Sequence, residues 1–274
     1  MVELWNGVIL QPVLNSLIAL SEVVLSNFGL AIIVLTIVVR IALFPLTVRQ
    51  TKSTKAMQSL QPKLQELQKK HGKNQQKLQQ ETMKLYKEAG INPLGCLWPM
   101  LIQLPIWIAL YQSIMRALAA TPENLLDLSQ HLYSWAIVGQ AVPLNEDFLW
   151  LQLSQPDRTL VLAILVGGTM WVQQKMVTGP ATDPRQQSMT QMTTLMMPLM
   201  FGMFTLSFPS GLALYWVVSN IVGIAIQYFV TGGWGYLTMP SILKPASAKK
   251  IPAAEQQSKV VRKAEKKKGG VLRR

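Results

Sequence analysis

Charge is what this sequence has least of. Only 14% of its 274 residues are Asp, Glu, Lys or Arg, and half are hydrophobic, a balance that would leave a water-soluble surface poorly covered with charge. The scarcity is also local. Residues 94–115, 160–174, 187–208 and 211–230 contain no charged side chain at all, and 28–48 contains one, Arg40. Acidic residues are missing from all five stretches, and basic residues from the first 39 positions. The second absence argues against a cleaved secretory leader, because Glu3 stands where a basic n-region would be.

What is present in those stretches is enough apolar chain to cross a hydrocarbon layer of about 30 Å as helix. The third is the shortest, at 15 residues, or about 22 Å of helix, and needs thinner bilayer, snorkelling flanks or shelter behind its neighbours. The fold predicted is therefore an all-α integral membrane protein with a bundle of five transmembrane helices.

The basic residues orient it. Residues 49–90 carry ten Lys or Arg against three acidic residues, 115–159 carry two against five, and 231–274 carry eleven against two. Because inside loops accumulate Lys and Arg, the N-terminus is expected outside, 49–90 inside, 115–159 outside and the basic tail 231–274 inside. The net charge of +13 then faces the cytoplasm. Residues 1–27 are apolar in patches interrupted by Gln11, Pro12, Asn15 and Glu22, and are expected to form an extracytoplasmic, interfacial helix leading into the first span. A sixth span is the alternative.

The inside loop has a pattern of its own. Met57, Leu60, Leu64 and Leu67 recur at helical spacing; the break "HGKN" comes next, then a second helical run ending at Ala89–Gly90. Residues 52–90 thus read as an amphipathic helical hairpin with a thin apolar stripe and a basic, glutamine-rich exterior. Pro62 either opens the first arm or kinks it.

Arg40 lies nine residues before Arg49, about 13 Å along a straight helix. A charge at that depth costs roughly 2.5–3.5 kcal/mol at the membrane centre and is normally turned away from lipid. With no carboxylate in any span, its solvation must come from water, lipid phosphate or a visiting group. Gln103, Gln112, Gln173, Gln174, Thr190, Gln191, Thr193, Thr194, Ser219, Asn220 and Gln227 occupy the other spans and can either join helices or line a wet cavity. Together with an unpaired arginine they favour a hydrated pocket opening to the inside. The fourth span is rich in methionine, including Met192, Met196 and Met200, whose flexible thioethers suit either a surface that meets many apolar sequences or ordinary gap filling.

The segments "VVRIALFPLTVRQTKSTKAMQSLQPKLQELQKK", "YKEAGINPLGCLWPMLIQLPIWIALYQSI" and "FPSGLALYWVVSN" resemble the YidC/Oxa/Alb family of membrane-protein insertases over about residues 25–230. The resemblance implies a five-helix core enclosing a hydrophilic groove open to the cytoplasm and to lipid and closed to the outside. The family's groove arginine falls on Arg40, its tryptophan in the last span on Trp216, and a polar groove position on Gln173 or its neighbour Gln174. Large periplasmic insertions and the lipobox cysteine of other members have no counterpart here, the single cysteine being Cys96. The short form most resembles cyanobacterial members, which serve plasma or thylakoid membranes.

The function this resemblance implies is that of a non-enzymatic insertase, also able to assist folding, with no cofactor and no metal. It would act on nascent membrane proteins, alone or with the SecYEG translocon; a functional monomer is compatible with this reading, and the sequence leaves the number of copies open. The groove residues are Arg40, Gln103, Gln173, Met192, Met196, Met200, Trp216 and Asn220. Lys52, Lys55, Lys69 and Lys70 of the hairpin and Lys266, Lys267 and Lys268 of the tail are candidate contacts for the ribosome or anionic lipid. Two other classes stay open: a transporter or channel that binds an anionic solute at Arg40, and a scaffold for membrane subunits in which the groove charge is dispensable.

Overall fold

The computed structural model describes residues 2–72, 74–90, 98–118, 122–135, 137–138, 144–178, 188 and 190–237. The head of the second apolar stretch, with Cys96, and the basic tail, with Lys266, Lys267 and Lys268, lie outside the described residues. The chain is mainly helical. Its helices are α1 (Glu3–Val23), α2 (Phe28–Ala42), α3 (Phe44–Ser59), α4 (Gln61–His71), α5 (Gln75–Glu88), α6 (Trp98–Ala117), α7 (Pro122–His131), α8 (Val161–Val177), α9 (Met192–Phe204) and α10 (Ser210–Thr231). A two-residue antiparallel hairpin, β1 (Asp147–Phe148) with β2 (Leu151–Gln152), pairs Phe148 with Leu151 between α7 and α8.

By length and composition, α1 and α10 are long and apolar enough to cross a membrane, and α2 with α3 adds a third candidate as a bent pair. The shorter apolar helices α8 and α9 have 17 residues and about 20 Å of axis, respectively. Helix α1, expected at the interface, does more than lead into α2: it packs along α2 and α6 and buries Leu10, Leu14, Leu17 and Ile18 completely.

The straight first span over 28–48 is corrected. The helix breaks at Leu43, and α3 leaves α2 at 61°. Pro45 supplies the reason, since its ring has no N–H to donate and collides with the carbonyl four residues back, at Ile41. Arg49 therefore does not lie on Arg40's axis, and the 13 Å spacing along one helix fails. The break at the other proline of this region has the same logic: Pro62 sits in the first turn of α4, where a missing N–H costs nothing. Asn74 then caps α5 by accepting from the Lys77 N–H at 3.1 Å, and Gly90, at φ +66°, ends the hairpin.

The core gathers at one end of the bundle. Phe28, Ala31 and Ile32 of α2 meet Leu110 and Ile114 of α6, Leu212 and Tyr215 of α10, and Leu14, Leu17 and Ile18 of α1. The β-hairpin closes this end. Leu153 and Gln155 offer their carbonyls to the N–H groups of Gly211 (3.0 Å) and Ser210 (2.7 Å), and the Ser210 hydroxyl donates to Gln152 O at 2.6 Å. The first donors of α10, which a helix leaves unpaired, are satisfied in this way. Gly211 fits closely: a Cβ there would lie 3.2 Å from Ile32 and from the Leu153 carbonyl and 3.3 Å from Ile114, so these neighbours would have to give by a few tenths of an ångström.

Small residues also set the α8–α9 contact. A Cβ on Gly202 would come within 2.9 Å of the Ala163 carbonyl and 3.7 Å of Gly167, so the two backbones touch, as is common where helices associate in lipid.

Candidate functional site

The polar side chains of the apolar helices fall into two groups along α10. On the α2 side, the Arg40 Nε donates to the Ser219 Oγ at 2.7 Å. One turn earlier on α10, Tyr215 lies near the guanidinium, and its hydroxyl accepts a hydrogen bond from Gln103 Nε2 of α6. Arg40 is half-buried, whereas Ser219 is buried. Among the described residues no carboxylate forms an ion pair with Arg40; Asp127 instead holds Arg116, at 2.9 Å, on the far end of α6. Arg40 is thus held by a neutral hydroxyl and keeps its full charge for something else.

On the α8 side, Asn220 donates to the Thr169 hydroxyl at 3.1 Å, and Gln173, one turn along α8, lies against Gly223 so closely that any side chain there would strike it. Four polar or small positions, two from each helix, therefore make a seam between α8 and α10.

These two groups bring together Arg40 with Gln103, and Gln173 with Asn220. The other expected groove residues have neighbours of their own. Trp216 stacks on Trp107 of α6 with ring centres 5.8 Å apart and planes at 13°, and meets Phe201 and Phe208 edge-on. Such an aromatic cluster contributes about 0.5–1.5 kcal/mol per pair beyond burial, and Trp216 also packs against the cluster that includes Leu162 and Val166 of α8. Met192, Met196 and Met200 lie on the exposed face of α9, opposite Thr194, Pro198 and Gly202, which face inward.

Of the hairpin lysines, Lys55 is engaged: its Nζ donates to the Thr231 carbonyl at 3.1 Å, a cation on the C-terminal end of α10 where the helix dipole favours one. Lys52, Lys69 and Lys70 are exposed. Lys70 borders a groove between α4 and α5 with Lys63, Lys84, Glu66, Glu81 and Glu88, so the three acidic residues of the basic hairpin gather on this surface.

Tyr215 and Asn15 drew no role from the sequence, and Ser219 only a place among the polar residues of the spans. Tyr215 and Ser219 are spaced i, i+4, a helical-face signal, but nothing local marks them as partners of Arg40. Asn15 counted as an interruption of an apolar segment. It is fully buried, donates to the carbonyls of Gln11 (2.8 Å) and His131 (2.9 Å), and accepts from the Tyr133 N–H at 2.7 Å, so it pins α1 to the end of α7. Trp5 likewise donates to Gln112 at 2.9 Å, which removes Gln112 from the set of free polar residues. At the head of α8, Asp157 is buried. Burial works to raise its carboxyl pKa, but hydrogen bonds from the Thr159 hydroxyl and from the N–H groups of Leu162, Thr159 and Val161 outweigh it and hold the group below its ordinary range.

A mainly helical assembly with apolar helices of membrane-crossing length and an arginine that, among the described residues, has no carboxylate partner defines the class of helical membrane proteins. Comparison with known proteins narrows the class. The family of the 60Kd inner membrane protein matches residues 19–234, and this chain belongs to that family. A membrane protein insertase YidC of Oceanobacillus iheyensis is 42% identical over 227 residues, 80% of each chain. The membrane protein insertase MisCA of Bacillus subtilis is 36% identical over 232 residues, 83% of this chain and 79% of that one. A membrane protein insertase YidC of Actinobacillus succinogenes is 40% identical over 84% of this chain, which corresponds to only 38% of that longer relative. Among solved structures, an active YidC insertase with its first transmembrane domain resolved matches with a TM-score of 0.50 and 28% identity, over 74% of this chain and 42% of that one.

Proposed function

We propose that this protein is a membrane-protein insertase that receives the short polar tail of a nascent membrane protein near Arg40 and releases the adjoining apolar segment into lipid. The observation that carries the reading is the Arg40–Ser219 arrangement: a guanidinium held between α2 and α10 by a neutral hydroxyl, with no carboxylate to neutralise it among the described residues. A charge kept this way at a cost in desolvation attracts an incoming acidic or polar tail without a fixed salt bridge having to be broken first.

The surroundings support the same reading. In α2 the buried residues run from Phe28 to Thr36; Val38, Ile41 and Phe44, around and beyond Arg40, are exposed. Five spans, formed by α2, α6, α8, α9 and α10, would enclose a hydrophilic groove open to the cytoplasm and closed outside by the core under the β-hairpin. Residues 1–27 would lie outside, with the hairpin of 52–90 and the tail of 231–274 inside, as their Lys and Arg content favours. Burial of about 20 apolar substrate residues at roughly 0.8 kcal/mol per CH₂ supplies the drive, and no bond is made or broken. The plasma membrane is the proposed site, with a thylakoid membrane as a second. Exposed Lys52, Lys69 and Lys70 and the tail lysines Lys266, Lys267 and Lys268 would engage the ribosome or anionic lipid, and SecYEG would share longer substrates.

The test is insertion of a single-span substrate with an acidic tail into liposomes containing the purified protein, scored by protease protection. The parent and Arg40→Lys should insert it, and Arg40→Ala should lose most of the activity. Equal insertion by all three, with each variant shown to be folded, would remove Arg40 from the mechanism.

A further inference from the structure

A guanidinium has five N–H donors in a flat fork and can meet a carboxylate or phosphate in two bidentate ways, through Nε with one terminal nitrogen or through both terminal nitrogens. In this protein the first way is taken. Nε–H is committed to the Ser219 Oγ at 2.7 Å, and Ser219 is itself 2% exposed, so it is fixed in the helix interface and does not compete for water as a surface hydroxyl would. The edge that remains is the one formed by the two terminal nitrogens.

We infer that Ser219 is a positioning residue: it orients Arg40 so that the anionic group of an incoming tail is received end-on by the two terminal nitrogens. The inference rests on the insertase function proposed for Arg40 and adds a specificity to it, namely that a planar two-oxygen anion is preferred over an uncharged amide in the same place.

The surrounding geometry supports a fixed orientation. Tyr215, one turn before Ser219 on the same helix, is 4% exposed. Its hydroxyl accepts from Gln103, which ties α6 to the same face. The Arg40 side chain enters from α2, where no residue of the helix after Thr36 is buried. It would be free to swing toward the exposed side without a partner at Nε. A long side chain loses up to about 2 kcal/mol of rotamer freedom when ordered, and Ser219 bears that ordering before the substrate arrives, as preorganised sites do. A lysine could supply charge to the groove but no fork.

The experiment compares two single-span substrates that differ at one tail position, Asp against Asn, in liposomes containing the parent, Ser219→Ala, Ser219→Thr or Arg40→Lys. Ser219→Ala should lower insertion of the Asp substrate by roughly three- to ten-fold, the scale of one hydrogen bond, and insertion of the Asn substrate by clearly less, with its folding checked separately by thermal unfolding in detergent. Ser219→Thr keeps the hydroxyl and should restore the Asp preference. Arg40→Lys should insert both substrates with the preference reduced. Equal losses on both substrates in Ser219→Ala would mean a packing role, and unchanged insertion of both would mean that Arg40 needs no orienting partner; either overturns the inference. The insertase function fails separately, if the parent inserts neither substrate above empty liposomes.

Discussion

The two halves of α2 have nearly the same composition and opposite surroundings. From Phe28 to Ile32 the helix is sealed among Leu110, Ile114, Leu212 and α1; from Ile37 to Phe44 it presents exposed apolar side chains around one arginine. Apolar sequence therefore records that a segment belongs in a membrane, because every residue must be compatible with hydrocarbon. It does not record whether the partner of a given face is another helix, lipid or a wet cleft. The sealed half keeps the bundle together and the open half carries the charge, so stability and activity should separate along one helix.

The largest expected effect would test that separation directly. Phe28→Ala removes a fully buried ring and should lower stability by about 3 kcal/mol, read by denaturant unfolding in mixed micelles. Arg40→Ala removes a charge with its desolvation cost and should stay within about 1 kcal/mol of the parent, while abolishing most insertion. If Arg40→Ala were the more destabilising of the two, the division of labour would be wrong.

A smaller effect asks whether α1 belongs to the sealed half. Asn15→Ala strands the Tyr133 N–H and the His131 carbonyl, both bound by Asn15 now, and should cost about 1–3 kcal/mol. Hydrogen exchange of residues 131–135 should speed up with it. Protection that stays unchanged would detach α1 from the core.

The smallest effect is a pH dependence at the closed end. Asp157 has its carboxyl held below the ordinary value of 3.8, so it contributes stability that is fully present above that value and is lost as pH falls through it toward the depressed folded value. Acid unfolding of Asp157→Asn should therefore be shallower than that of the parent below about pH 4. Parallel curves would show that the hydrogen bonds around Asp157 do not distinguish its two protonation states.

Much of the molecule was legible from the chain alone. The hairpin with its stop at Gly90 and the run from Ser210 to Thr231 arise from local signals: a glycine at positive φ and an uncharged stretch of helical length. Pro45 was visible too, but its 61° consequence was not, because a proline in lipid can be absorbed by neighbours or can bend the chain. The site was legible in part. Arg40 stood out by its cost, and Gln103, Gln173 and Asn220 by their polarity; the ring partners of Trp216 and the exposed face of Met192, Met196 and Met200 came only with the tertiary structure.

The sequence by itself determined that this is a helical membrane protein with an arginine inside an apolar segment and a basic helical hairpin, since charge scarcity, periodicity and helix stops are properties of neighbouring residues. Only the tertiary structure decided what Arg40 touches. Its hydroxyl partner is 179 positions away, and the small residues that bring α8 to α9 and the hairpin to the head of α10 act through distances of approach. Those distances depend on two surfaces meeting, and neither surface is written within one stretch of chain.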